Sequence, residues 1–263
     1  MDTKHIKYMK KYSTNLTDSQ WNLLEGVLSN KRKRKHSLRD ILDALFYLLK
    51  TGCQWRMIPH CFPPWESVYY YFSKWKNEGI IEFIHEHLRD LVRQKAGREI
   101  SPSLALIDSQ SVKTTRLGGE CRGIDGGKKI KGRKRHIITD TMGLLLAVVV
   151  HAANEHDSKG AFEVIATLKG RFCRLVKILA DGGYRGELIE KTKNAFNWVL
   201  EIVLRSDDST KFKVIPKRWV VERTFAWFES YRRLSKDFEF QTNTSEAMIQ
   251  LAMVKLMLNR FKK

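Results

Sequence analysis

Two short, uninterrupted apolar runs constrain this chain more than any other feature. Leu104-Ala105-Leu106-Ile107 leads straight into Asp108, and Leu175 to Ala180 leads into Asp181. Apolar runs of this length with polar flanks are the pattern of buried strands. Each strand therefore delivers a carboxylate at its end. His136 to Asp140 and Leu144 to Val150, separated by a turn at Met142-Gly143, read as a hairpin. Ala161 to Leu168 and Glu187 to Ala195 read as helices, and Trp198 to Leu204 as a last strand.

The first hundred residues have a different period. Thr17-Asp18-Ser19-Gln20 fits a capping box ahead of Trp21, Leu24 and Leu28. Ser37 opens a second helix, striped by Leu38, Ile41, Leu42, Leu45 and Leu48 and closed at Thr51-Gly52. Pro59, Pro63 and Pro64 interrupt the chain before a third helix bearing Val68, Tyr69, Phe72 and Trp75. Aromatics at that spacing suit a core better than a base-stacking platform. A fourth helix runs from about Ile80 to Arg93, with Ile84, His87, Leu88 and Leu91 inward. The 263 residues accommodate two modest domains. Residues 1–98 form an all-helical, helix-turn-helix-like candidate for DNA binding, and residues 99–263 form an α/β unit. In the second unit the order strand, strand, strand, helix, strand, helix, strand, helix predicts an RNase H-like fold, a mixed five-stranded sheet with helices.

Charge narrows the partner. Lys and Arg number 48 against 29 Asp and Glu, a formal charge of +19. Such an excess suits a polyanion, most simply nucleic acid, whose condensed counterions are released on binding. Hydrophobic residues make up 43% of the chain, too many for a disordered basic tail. Two clusters concentrate the cations. One is Lys31, Arg32, Lys33, Arg34 and Lys35; the other is Lys128, Lys129, Lys131, Arg133, Lys134 and Arg135, in a Gly-rich segment read as a mobile basic loop. Each has two readings, a phosphate-contacting surface or a solvated connection. Arg56, Lys74 and Lys76 are further DNA candidates. Gly127 to Lys134 matches the glycine spacing of a nucleotide-binding P-loop, but Arg133 and Lys134 stand where Lys and Ser/Thr are required, which excludes that use. No apolar run approaches the roughly 20 residues of a membrane span, and the N-terminus lacks the apolar core of a secretory signal. Cys53, Cys61, Cys121 and Cys173 form no CxxC pair. A cytoplasmic chain with reduced cysteines and no membrane association is expected.

In the strand order above, the strands carrying Asp108 and Asp181 are parallel neighbours, so their carboxylates can meet. Paired carboxylates that repel at close range are stabilised by a divalent cation, and hard oxygen ligands select Mg²⁺ or Mn²⁺. The third candidate is Glu222, on a final long helix opening near Pro216. On a helical wheel Val220, Thr224, Trp227, Phe228, Tyr231, Leu234 and Phe238 gather on one side, with Arg218, Glu222, Ala226, Glu229 and Arg233 opposite. That polar side suits a catalytic carboxylate facing DNA and equally suits a solvated glutamate.

Six segments, in chain order, resemble the DDE transposases of bacterial insertion sequences, in the group of insertion sequence five. They are GCQWRMIPHCFPPWESVYYYFSKW, IDSQSVK, GKKIKGRKRHIITDTMGLLLAV, ANEHDSKGA, LADGGYRG and PKRWVVERTFAW. The resemblance covers nearly the whole chain. It implies that Asp108, Asp181 and Glu222 are the catalytic residues and hold two Mg²⁺ (or Mn²⁺) ions. It implies cleavage at the terminal inverted repeats of double-stranded DNA, strand transfer of the freed 3′-hydroxyl into target DNA, and a homo-oligomer pairing two DNA ends in a bacterial, nucleoid-associated setting. Around the glutamate the family carries Tyr, Arg and Lys at fixed offsets. Arg218 fills the Arg position, whereas Ile215 and Glu229 stand where Tyr and Lys are expected. Arg232, Arg233 and Lys236 are candidates to substitute for them. Asp157 matches another recurring family position, as support for the site or as a turn cap. Two rival readings stay open: a domesticated, non-catalytic DNA-binding protein, and an RNase H-like nuclease that only cuts.

Overall fold

The structure, a computed structural model, describes residues 12–28, 33–203 and 219–261. The capping box closes in both directions. Thr17 Oγ1 accepts from the Gln20 N–H, and Gln20 Oε1 accepts from the Thr17 N–H, each at 3.2 Å. They start α1 (Asp18–Leu28). Ser37 accepts from the Arg39 N–H and caps α2 (Leu38–Thr51), which Gly52 ends in the left-handed region at φ +69°. A Cβ there would also stand 3.0 Å from Arg232, so glycine is required twice over. α3 (Trp65–Asn77) follows Pro64, and α4 (Ile80–Lys95) follows Gly79. On α4 the buried residues include Ile81, Ile84, His85, Leu88 and Val92, so His85 and not His87 turns inward. The face is rotated because Arg89 and Arg93 also lie on it, and Arg93 reaches through to pair with buried Asp140.

Six strands form one mixed sheet: β1 (Leu104–Lys113), β2 (Gly123–Asp125), β3 (Ile130–Asp140), β4 (Leu145–Ala152), β5 (Lys177–Ala180) and β6 (Val199–Ile202). The order is β2-β3-β1-β5-β6, with β4 also paired to β3. β1 to β4 are joined antiparallel, whereas β5 runs parallel to both β1 and β6. Leaving out β2, the order β4-β3-β1-β5-β6 is a mixed five-stranded sheet of the kind expected. The short β2 adds to the same edge of β3, at residues 130–132 where β4 has ended. α5 (Asp157–Ala166) and α6 (Leu188–Phe196) cover one face, where Ala105, Ile107, Ile138, Ile178 and Ala180 are buried. α7 (Trp219–Glu229) and α8 (Thr242–Asn259) belong to the other. There Leu106, Ile137, Val148 and Leu179 share one continuous core with α1 to α4 and both C-terminal helices. α8 is buried on nearly every side, as expected of a helix whose apolar residues encircle it. No helix among the described residues is long and apolar enough to cross a membrane.

The sequence expectation includes neither β2 nor α8, and three expected elements differ in extent. β1 does not stop at Ile107, because β3 continues the ladder as far as the pair Lys113↔Gly132. The segment 128–135 is no loop beyond Lys129, since β3 begins at Ile130. α7, read from the sequence as a long final helix, ends at Glu229, where the Ser230 N–H and hydroxyl both donate to the Trp227 carbonyl. The chain then passes through a 3₁₀ turn at Arg232–Leu234 before α8. Tyr231, Leu234 and Phe238 therefore leave the helix on which the wheel placed them.

Candidate active site

β1 and β5 are paired from Leu104↔Lys177 to Leu106↔Leu179. Carried two residues past its last pair, that register sets Asp108 opposite Asp181, just beyond the end of β5. Both continue the alternation of Leu106 and Leu179, so both belong to the face covered by α7. The level is open because β5 ends at Ala180 while β1 runs on. Asp108 Oδ1 accepts from the Ser109 N–H at 2.7 Å, and Asp181 Oδ1 accepts from the Gly183 N–H at 2.8 Å. Each carboxylate is thus oriented by its own local backbone.

Glu222 lies in the first turn of α7 and is exposed. Val220, Val221, Thr224, Phe225 and Phe228 hold that helix in the core shared with Leu106 and Leu179. Within α7 the wheel is correct: Glu222, Ala226 and Glu229 are exposed, and Val220, Thr224 and Phe228 are buried. Among the described residues no three His, Cys, Asp or Glu side chains stand together as a ready ligand set for a metal ion. The hard oxygens of Asp108 and Asp181, set opposite one another by the β1–β5 register, fit a divalent cation as a pair.

Behind Asp108, on the opposite face, lies a buried polar cluster. Ser109 Oγ donates to Asp157 Oδ1 at 3.2 Å, and Lys134 Nζ donates to the same oxygen at 2.8 Å. Burial pushes the Asp157 carboxyl up, but the Lys134 hydrogen bond and charge more than offset it and hold the group below its ordinary range. The cap of α5 is His156, with Asp157 as the first helical residue, so the turn-cap reading does not apply to Asp157. A Cβ on Gly183 would stand 3.1 Å from Asp181 Oδ1 and 4.0 Å from Asp157 Oδ2, so these two carboxylates flank one glycine. Tyr184 is buried beside them. Burial raises its phenol well above the usual value, and the charges of Asp108, Asp157 and Asp181 all add to that rise.

His136 and His151 complete the cluster, stacked with ring centroids 4.9 Å apart and joined Nδ1 to Nε2 at 2.7 Å. His151 Nδ1 faces the Ala152 carbonyl at 3.0 Å and so carries the proton. His136 Nδ1 is then the donor between the rings, and its Nε2 is an acceptor 3.7 Å from Asp157 Oδ1. Burial lowers the pKa of His136 to about 3, so its imidazole is neutral near pH 7. The only sequence trace of this pair is two histidines set into apolar strand runs, a signal too common to single out.

The basic residues divide sharply. Lys33, Lys35, Arg56, Lys128, Lys129, Lys131 and Arg232 are exposed, while Arg34 is half-buried. Lys31, Arg32, Arg218 and Ile215 lie outside the described residues. Arg133, Lys134, Arg135 and Arg233, expected at a DNA surface, are buried. Arg133 donates to the Glu120, Glu239 and Phe240 carbonyls and to Ser245 Oγ, and pairs with Asp237 at 3.2 Å. Arg135 donates to the Leu234 carbonyl, and Arg233 pairs with Glu239 at 2.7 Å while donating to the Cys53 carbonyl. The donors of Arg133 and Arg135 tie the sheet to the segment between α7 and α8, and Arg233 ties that segment to the residues just after α2.

Residues 99–257 match the family model "Transposase DDE domain", and residues 16–85 match "Putative transposase of IS4/5 family". The chain belongs to the DDE transposases. It is also 31% identical over 128 residues to "Putative transposase for insertion sequence element IS402" of Burkholderia cepacia, an alignment covering 46% of this chain and 60% of that one. A second Burkholderia cepacia protein, "Insertion element IS402 uncharacterized 16.2 kDa protein", is 27% identical over 113 residues, covering 39% of this chain and 76% of that protein. The alignment thus spans less than two thirds of the first relative's length. For a DDE transposase the mixed sheet is the expected scaffold, and divalent metal ions are what the family generally uses.

Proposed function

We propose that this transposase binds the terminal inverted repeats of its insertion sequence, cleaves double-stranded DNA there, and joins the freed 3′-hydroxyl to target DNA. The observation that carries the reading is the level placement of Asp108 and Asp181 where β5 ends and β1 continues. Asp108 and Asp181, with Glu222 from α7, would hold two Mg²⁺ or Mn²⁺ ions. Bound there, the ions supply activation of the attacking oxygen and stabilisation of the leaving oxygen. The backbone N–H groups of Ser109 and Gly183 fix the two aspartates in advance, and Asp157, through Ser109, supports the site from behind. Residues 1–98, read as a helix-turn-helix-like unit, would recognise the repeat. Exposed Lys33, Lys35, Arg56, Lys129, Lys131 and Arg232, with Lys31, Arg32, Arg34 and Arg218, would contact phosphates. Pairing of two ends would require a homo-oligomer on DNA.

The test uses a duplex carrying the repeats that flank the reading frame, incubated with purified protein and Mg²⁺. Nicked ends that go on to joined products are expected. Cutting without joining would instead favour the nuclease reading. Glu229, exposed at the last position of α7 where the family carries Lys, favours a second reading as a DNA-binding protein without activity. Repeat binding with no nicking in Mg²⁺ or Mn²⁺ would support that one.

A further inference from the structure

We infer that Lys128 contacts the scissile phosphate, a role distinct from general attraction for DNA; this rests on the transposase reading above. In an antiparallel ladder a residue's N–H and C=O leave the strand on the same side. The Ser109 N–H turns to Asp108 Oδ1 and not to β3, so the Ser109 carbonyl also faces the side of β1 left open where β5 ends. The Lys128 ammonium donates to that carbonyl at 3.4 Å. One residue, Ser109, therefore holds the catalytic aspartate by its N–H and a lysine by its C=O.

The lysine is brought there by its own loop. Asp125, at the end of β2, accepts from the Gly127 and Lys128 N–H groups, both at 3.0 Å, with Oδ1. Its Oδ2 accepts from Ser111 Oγ of β1. Lys129 takes a positive φ of 53°, which turns the chain back into β3. The loop is thus folded onto β1 by a carboxylate, and among the described residues Lys128 is the exposed lysine of this hairpin that reaches the Ser109 carbonyl, one residue past Asp108. Lys129 and Lys131, one and three residues on, are exposed without such a contact.

In the cleavage step a water oxygen forms a bond to phosphorus and the P–O3′ bond breaks. Its electron pair stays with O3′, which takes up a proton in exchange for the one that water gives up. Negative charge accumulates on the non-bridging oxygens, and a fixed ammonium beside Asp108 neutralises it.

The experiment compares Lys128→Met, Lys128→Arg and the charge-matched control Lys129→Met on the flanking-repeat duplex, with Asp108→Asn in parallel. Repeat affinity is measured by titration, and cleavage is followed in a single turnover at saturating protein. Lys128→Met is expected to cleave about 100-fold more slowly with affinity within about threefold of Lys129→Met; Lys128→Arg is expected to recover much of the rate. Equal single-turnover rates for Lys128→Met and Lys129→Met would overturn the proposal. An inactive Asp108→Asn beside a fully active Lys128→Met would overturn the lysine role alone. Full activity of Asp108→Asn would overturn the carboxylate reading with it.

Discussion

Gly160 shows how finely the residues behind the site are fitted. A Cβ there would stand 2.4 Å from His151 Nε2 and 2.7 Å from His136 Nδ1. Gly160→Ala is therefore expected to cost about 1–3 kcal/mol through overpacking, read as a lower Tm. Glu246 carries the opposite kind of lesson. Its carboxyl accepts from the Val150 N–H, and burial raises its pKa to about 7. A raised carboxyl favours the folded state in its neutral form, so its contribution is present below the ordinary glutamate pKa and is lost as pH rises through about 7. Glu246→Gln keeps an acceptor for Val150 and removes the charge. It is expected to raise Tm at pH 8 and to leave it nearly unchanged at pH 5, measured by thermal unfolding. None of these contacts was legible in the sequence, because each joins residues whose nearness depends on the packing of a helix on a particular strand.

At the scale of elements, β3 separates what charge alone could not. Six cations from Lys128 to Arg135 looked alike in sequence, yet their environments differ once the strand takes its register. Arg133 and Lys134 are enclosed by partners drawn from distant segments, Asp237 and Asp157, which no local pattern could announce. Arg133→Ala would leave Asp237 buried without its partner, and a loss of about 3–5 kcal/mol is expected, read by denaturant unfolding. Lys129→Ala is expected to leave stability within about 0.5 kcal/mol and to lower the salt slope of DNA binding by about one. Other elements followed from local physics: the capping box and Gly52 bounded α1 and α2, and the apolar runs located β1 and β5, though not their full extents. The end of α7 was not legible because its buried side continues the same hydrophobic period through Tyr231 and Leu234, while Ser230 ends it by bonding to the carbonyl of Trp227.

At the scale of the whole molecule, the N-terminal helices and the sheet are not separate bodies of packing. α1 to α4 share their core with α7, α8 and one face of the sheet. That face carries Asp108 and Asp181, so the region proposed to recognise the repeat is packed into the core of the region proposed to cut it. The formal charge of +19 includes several cations buried as internal ties. Exposed cations among the described residues include Lys33, Lys35, Arg56, Arg232 and the lysines of the β2–β3 hairpin, where Lys128 reaches the Ser109 carbonyl. The pair of aspartates is the centre of this arrangement, and Asp181→Asn tests it most directly because it removes one negative charge and keeps the side-chain shape. Strand cleavage of a flanking-repeat duplex in Mg²⁺, measured with repeat affinity on the same preparations, should fall below detection for Asp181→Asn while affinity stays within about threefold of wild type. Cleavage by Asp181→Asn at the wild-type rate would contradict the account.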